Sequence, residues 1–405
     1  MSTTADDTTI HNDRNVYILG AGFSADAGMP LVAGFMNTMR DAVIWLNNRA
    51  PDRQREIEAI EAVFKFRRNA ASAALRTHID VENIEELFSL AAASRQDGQA
   101  TDEHNVALAI AATLDYSASQ RSNIPRVVVD LRQTLKSRPP SGWNPVGDPS
   151  LNAYNIPVYD LYLGVMTGYF SYSPPQRNTV ITFNYDTIAE DAVARLGLDW
   201  QYALPTDRIS NQSGIHQGRG IKILKLHGSV NWALSASAMS ERTANIYADY
   251  AAVRAAGLKG DLVLAPPTWR KGWRPDHPMT AVWDAAVDAL SKATRIIIIG
   301  YSLPVTDNHF KYLMSAGLRD NISLRKILFV NGRACRSFVD TGEERPLNPE
   351  QEQLRDRLFQ VLRPELENRG IVELRFECVQ DFFMDVPGIL TQERLAPDLK
   401  SARWG

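Results

Sequence analysis

The chain has 405 residues, 44% hydrophobic and 22% charged, which is enough to bury a large core and to hold one to three domains. Lys and Arg total 44 against 47 for Asp and Glu, and the resulting net charge of −3 does not advertise a nucleic-acid partner, which ordinarily needs a basic field. The two cysteines, Cys335 and Cys378, exclude a four-cysteine zinc site and argue against a disulfide framework.

The opening stretch, MSTTADDTTIHNDR, is polar and lacks an apolar signal core. The longest apolar runs, such as RIIIIG, are far too short to span a bilayer, so a cytoplasmic location is expected. Val16 to Leu19 then form a short apolar run ending at Gly20, the pattern of a buried parallel strand. A helix is expected from Ser24 onward. A long helical region follows. REIEAIEAVFKF puts Ile57, Ile60, Val63 and Phe64 on one face, and NIEELFSL does the same with Ile84, Leu87 and Phe88. Asn83 with Glu86 suits a cap for the latter. VALAIAATLDY and VYDLYLGVMTGYF continue the helical pattern, the second entered through the Pro/Gly-rich SRPPSGWNPVGDPS.

Beyond SPPQRN the texture changes to short apolar runs separated by helical segments. TVITF, IKILKL, DLVLAPP, RIIIIG, LRKILFVN and IVELRFECV read as strands, the last as an edge or final one. MTAVWDAAVDALSKA and HFKYLMSAGLRD read as helices between them. This alternation predicts an α/β fold with a Rossmann-like, doubly wound, mainly parallel sheet. Residues 1–34 and 173–405 would form that domain, and residues 35–172 a large helical insertion or cap.

Ligands of an open parallel sheet bind beyond the carboxyl ends of its strands. Here the strands end in Gly20-Ala21-Gly22, Asn184-Tyr185-Asp186, His227-Gly228-Ser229, Gly300-Tyr301-Ser302 and Asn331, which would converge on one edge. Gly20 to Ala25 fits the loose dinucleotide-binding pattern, in which backbone amides and a following helix N-terminus hold a pyrophosphate; a tight turn without a ligand is the plainer reading. No second strand ending in an acidic ribose-binding residue follows, and Asp41, at a plausible distance, sits in an apparent helix. Asn184 and Asp186 are either site residues or turn formers, and His227 either faces a ligand beside Gly228 or is a satisfied structural histidine. Ser302 could bond a phosphate or ribose or cap the next turn, and Asp307 could cap the helix near His309. Asn331 could reach an adenosine ribose or end its strand. His216 and His309 terminate no predicted strand.

Taken in order, Gly-Ala-Gly-Phe-Ser with Gly28-Met29-Pro30, then Phe-Asn-Tyr-Asp, Leu-His-Gly-Ser, Ile-Gly-Tyr-Ser-Leu-Pro and Val-Asn resemble the motif series of the sirtuin superfamily, from Val16 to about Asn331. Two departures separate the chain from the deacylase branch: there is no four-cysteine zinc module, and Leu31-Val32 follow Pro30 where deacylases carry Asp-Phe-Arg. The sequence is more similar to bacterial sirtuin-like NAD hydrolases of anti-phage defence systems. That resemblance implies cleavage of NAD+, as substrate and without a metal, to nicotinamide and ADP-ribose. It assigns Asn184, His227 and Asp186 to catalysis. It assigns Gly20, Ala21, Gly22, Ser24, Asn184, Asp186, Gly300, Ser302 and Asn331 to NAD binding, with Ser229 a weaker candidate. It further implies a homo-oligomer, a trigger that releases the activity, and a partner such as a HerA-type ATPase, with no membrane or direct nucleic-acid contact. Protein deacylation, ADP-ribosyl transfer and NAD or ADP-ribose sensing without turnover are the competing readings; a dehydrogenase comes last.

Overall fold

Val16 to Leu19 are buried on both faces of their strand, and the same holds for Ile296 to Ile299. Such double burial requires helices above and below a parallel sheet. A computed structural model shows this arrangement and describes residues 14–93, 103–121, 124–130, 139–147, 153–170, 178–209, 220–235, 243–257, 261–265, 277–303, 308–332 and 347–384. In chain order the elements begin with β1 (Asn15–Leu19), α1 (Phe35–Arg49), α2 (Gln54–Ala74), α3 (Ile84–Ala93) and α4 (Glu103–Ser119). Next come β2 (Arg126–Asp130), β3 (Asn144–Pro145), β4 (Ala153–Pro157), α5 (Val158–Thr167), β5 (Thr179–Thr182) and α6 (Ile188–Arg195). They continue with β6 (Trp200–Gln201), β7 (Thr206–Ile209), β8 (Ile221–Lys225), β9 (Gly228–Leu234), β10 (Ala244–Ile246) and α7 (Tyr250–Ala255). The rest are β11 (Leu262–Leu264), α8 (Pro278–Ser291), β12 (Arg295–Ile299), α9 (Asn308–Leu318), β13 (Lys326–Val330), α10 (Pro349–Phe359), α11 (Glu365–Asn368), β14 (Val372–Arg375) and α12 (Val379–Met384).

The main sheet has seven strands in the order β14-β13-β12-β1-β5-β8-β6, and every pairing in it is parallel. The chain runs from β1 outward through β5 and β8, then returns to β12 on the other side of β1. The strand order therefore reverses between β1 and β12, where doubly wound sheets open a crevice. The β14 edge carries charge: Glu373 pairs with Lys326 at 2.7 Å and with Arg375 at 2.7 Å, which discourages edge-to-edge pairing. At the opposite, amino end of the strands Arg295 is buried and donates to Asn15 Oδ1 at 3.0 Å. Burial holds its guanidinium down to about 10, against an opposing influence from Tyr17.

Three features differ from the sequence reading. No α-helix starts at Ser24; the segment forms three short 3₁₀ turns over Ala21–Phe23, Ala25–Ala27 and Val32–Gly34, and α1 begins only at Phe35. Gly28 is left-handed at φ 76°, and Pro30 lacks the amide a helix would need, so the chain cannot settle into a helix before them. Secondly, residues 126–157 hold an antiparallel three-stranded sheet, β2-β4-β3, so the stretch between β1 and β5 is not wholly helical. Thirdly, DLVLAPP contributes β11 to a separate four-stranded sheet, β11-β9-β10-β7, and not to the parallel one. Asn83 caps α3 by accepting from the Glu85 amide at 2.9 Å, while Glu86 reaches back to the Asp80 amide at 2.8 Å, short of a reciprocal box with Asn83. Among the described residues, no helix is long and apolar enough to cross a membrane.

Candidate functional site

The carboxyl ends of β1, β5, β8 and β12 meet around an open cleft with about 800 Å³ of empty space, open solvent included. Ala21, Ser24, Asn184, Asp186, His227 and Ser302 line it. Gly20, Gly22, Ser229, Gly300 and Asn331 are not among the lining residues. His216 and Asp307 lie outside the described residues. His309 is in α9 with its ring 6.2 Å from that of Trp283, and Asp41 is exposed on α1.

Asn184 follows β5 and turns back over β1. Its Nδ2 donates to Gly20 O and to Ser24 Oγ, both at 2.9 Å, and its own amide donates to Thr182 Oγ1 at 3.0 Å. Both carboxamide hydrogens are thus directed at the glycine turn, and the Oδ1 acceptor is what the side chain can offer a ligand. Asp186 Oδ1 accepts from the Ile188 amide at 3.1 Å, an Asx turn that opens α6. His227 is buried, with its ring centroid 5.1 Å from Phe183 in an edge-on arrangement and 5.7 Å from Tyr185. Two aromatic walls therefore fix the plane of the imidazole.

The loop after β5 and the corner between β8 and β9 are stitched together. Leu226 N donates to Thr182 O at 2.9 Å, Val230 N to Tyr185 O at 3.1 Å, and Ser229 Oγ to the same carbonyl at 3.2 Å. Ser229 is fully buried, so its role in this stitching accounts for it. Tyr185 Oη donates to Ala265 O at 2.8 Å, and the Ala265 amide donates to His227 O at 2.8 Å. Gly228 adopts φ +78°, and a Cβ there would lie 1.9 Å from Val263 O. Room for the imidazole is not its purpose: the glycine lets β9 start against β11.

The glycine turn also differs from a multi-amide phosphate cradle on a helix N-terminus. The amide of Gly20 donates to Ile299 O at 3.0 Å, that of Gly22 to Gly300 O at 2.8 Å, that of Phe23 to Gly20 O at 2.9 Å and that of Ser24 to Ala21 O at 3.1 Å. A Cβ on Gly22 would lie 2.8 Å from Gly300 O, so these glycines let two strand ends close on each other at the switch point. Asn331 Nδ2 donates to Tyr301 O at 3.1 Å and its amide to Arg375 O at 3.0 Å, which pins the turn after β12. Ser302 O accepts from Arg357 at 3.3 Å.

Sequence reasoning missed the apolar half of the cleft. Met29, Val32, Phe35, Ile84, Ile110 and Leu114 line it, and Phe183 and Tyr301 stack beside them with ring centroids 4.9 Å apart and planes 11° apart. Ile84, Ile110 and Leu114 come from α3 and α4, so segments far from the strand ends complete the site. Helical periodicity marked such positions only as core, and nothing in that signal separates a cleft wall from an interior. Tyr159 was missed as well. It donates to Phe23 O at 2.9 Å, and burial, with Asp26 and Asp186 nearby, raises its phenol far above the ordinary tyrosine range, so it remains a neutral donor. Arg121, two residues beyond α4, brings a guanidinium nitrogen to 3.7 Å from Met29 Sδ. Among the described residues no cluster of His, Cys, Asp and Glu could hold a metal ion.

Residues 178–354 match the family model of the SIR2-like domain. No curated protein matches the chain in sequence. Solved structures similar to it include a Sir2 homologue in complex with NAD, at 14% identity over 88% of this chain and 93% of that one, with a TM-score of 0.32. Another is a Sir2 enzyme with the inhibitor EX-527, 2′-O-acetyl-ADP-ribose and a deacetylated p53 peptide, at 12% identity over 91% and 90% with a TM-score of 0.33. The matched segment contains β5, β8, β12 and β13 with Asn184, Asp186, His227, Ser302 and Asn331, so this part of the chain is similar to a SIR2-like domain.

Proposed function

We propose that the protein hydrolyses the bond between nicotinamide and C1′ of its ribose in NAD+, releasing nicotinamide and ADP-ribose. The observation that carries this reading is the convergence of Asn184, Asp186 and His227 on one cleft at the switch point of a parallel sheet. The cleft joins a polar floor to an apolar wall, which suits a substrate with a charged, hydroxylated half and a flat ring.

Nicotinamide departs as a neutral ring from a cationic one, so no general acid is needed. The protein must orient the glycoside, oppose the positive charge that develops on the ribose, and deliver water. Asn184 Oδ1 accepts a hydrogen bond from the water or a ribose hydroxyl. His227 serves as base for one of these, its ring plane set by Phe183 and Tyr185. The Asp186 carboxylate, tethered through one oxygen by the Ile188 amide, opposes the developing charge. Ala21, Ser24 and Ser302 face the phosphates and the adenosine half, and Gly20, Gly22, Gly300 and Asn331 hold the turns that carry them.

The order of the five motifs and the Leu31-Val32 continuation after Pro30 support hydrolysis over deacylation, and support a place in antiviral defence by NAD+ depletion. In that setting the protein would be a cytoplasmic homo-oligomer released by infection, with a HerA-type ATPase as partner. One observation favours a second reading, an NAD or ADP-ribose sensor without turnover: the amides of Gly20, Gly22, Phe23 and Ser24 and the hydrogens of the Asn184 carboxamide are committed to protein acceptors. Product analysis decides. Nicotinamide and ADP-ribose appearing together from NAD+ alone, and lost in Asn184→Ala and His227→Ala, supports hydrolysis. Nicotinamide appearing only with an acylated peptide means deacylation. Saturable binding with NAD+ recovered intact means sensing.

A further inference from the structure

Lys225 ends β8 two residues before His227, and its side chain is fully buried. Its ammonium donates to the backbone carbonyl of Asp186 and to Glu190 Oε1, the latter at 2.9 Å. Glu190 lies on α6, which starts directly after the Asp186 turn, and the same Oε1 accepts from Tyr202 Oη at 3.1 Å. Glu190 and Tyr202 are themselves buried.

A buried ion pair is a poor source of net stability, because taking both charges out of water costs about what their attraction returns. It does give direction, since an ammonium held from one side by a carboxylate presents its remaining hydrogens along fixed lines. Here one line ends on the Asp186 carbonyl. Two neighbouring carbonyls, Thr182 at the end of β5 and Tyr185 in the loop, take their bonds from Leu226, Ser229 and Val230. Every one of these donors belongs to residues 225–230, the corner that carries His227. The corner thus holds the carbonyls of Tyr185 and Asp186 in the Asn184–Asp186 loop, and Lys225 is the charged donor among those named.

We propose that Lys225 is a positioning residue whose ammonium, oriented by Glu190, fixes the Asp186 carbonyl and so sets the Asn184–Asp186 loop against His227. Its importance for turnover rests on the hydrolase reading above; its effect on the loop does not.

The test replaces the whole polar cluster in the full chain by apolar groups of similar size: Lys225→Met, Glu190→Met and Tyr202→Phe together. The substitution leaves no buried charge behind, so thermal stability should stay near that of the wild type. Amide hydrogen exchange of the peptide covering residues 183–188 should then accelerate at least tenfold. The kcat for NAD+ should fall at least tenfold while KM changes less than about threefold. A stable triple variant with wild-type exchange over 183–188 overturns the proposal, whatever NAD+ does. If the triple variant does not fold, the pair Lys225→Met with Glu190→Gln decides. It also leaves no buried charge and keeps an acceptor for Tyr202 Oη, so exchange over 183–188 should accelerate at least tenfold through loss of the Lys225 donor alone. Wild-type exchange in that folded double variant would overturn the proposal. Wild-type protein that leaves NAD+ intact would remove the hydrolase reading and leave the exchange result to stand or fall alone.

Discussion

Gly28 and Gly228 have nearly the same backbone conformation, φ +76° and φ +78°, but very different surroundings. A Cβ on Gly28 would meet nothing within 4 Å, whereas one on Gly228 would lie 1.9 Å from Val263 O, 2.7 Å from Val263 C and 3.0 Å from Leu264 Cα. The left-handed conformation alone costs a non-glycine residue about 1–2 kcal/mol, and this should be the whole effect of Gly28→Ala. Gly228→Ala adds a backbone collision that only displacement of β9 from β11 can relieve, at about 1–3 kcal/mol on the scale of overpacked interiors. Gly228→Ala should therefore lose about 2–5 kcal/mol in urea unfolding, at least 1 kcal/mol more than Gly28→Ala. It should also lose NAD+ turnover, because the displaced strand begins one residue after His227. Equal losses in the two variants would refute the claim that close approach to Val263, and not conformation alone, requires glycine at 228.

Asp186→Asn keeps an acceptor for the Ile188 amide while removing the charge, so stability should change by less than about 0.5 kcal/mol; steady-state NAD+ cleavage should fall about 10- to 100-fold. Asp186→Ala should lose about a further 1 kcal/mol in unfolding experiments, because the Ile188 amide loses its Asx-turn acceptor. His227→Ala should reduce turnover at least 100-fold with a native circular-dichroism spectrum. Asn184→Ala should do the same and also lose about 1–2 kcal/mol, since it releases Gly20 O and Ser24 Oγ. Arg53, 5% exposed, joins the α1–α2 connection to Asp115 of α4 at 2.7 Å and pairs with Glu56 at 3.1 Å. Arg53→Met should cost about 3–5 kcal/mol in urea unfolding, because Asp115 loses its guanidinium partner and the buried Glu56 is left with only Tyr250 Oη at 3.4 Å and Arg254 at 4.0 Å.

The five strand ends were legible because parallel strands announce themselves as unbroken apolar runs stopped by small or polar residues. RIIIIG and TVITFNYD are the clearest cases, and they lie on either side of β1 as β12 and β5. The turn after β1 was legible as a turn but not as a set of 3₁₀ turns, since Gly28 and Pro30 resemble ordinary loop punctuation until the backbone is traced. The glycines at 20 and 22 pointed to phosphate, yet their amides close on the end of β12, at Ile299 O and Gly300 O; a glycine signals close approach without saying what approaches. β9 was hidden because it begins at Gly228, directly after the β8 corner, and the residues read as loop. The apolar wall from Ile84, Ile110 and Leu114 was invisible as a site because burial against a ligand and burial against a core select the same side chains. Lys225 and Glu190 sit 35 residues apart and carry no local pattern.

Purified protein, alone and with the product of its genomic-neighbour gene, is incubated with NAD+, and nicotinamide and ADP-ribose are quantified against time. The two products should appear in equal amounts without any acyl or protein acceptor, and His227→Ala should abolish both. NAD+ recovered intact from wild-type protein under both conditions, despite saturable binding, would contradict the hydrolase reading.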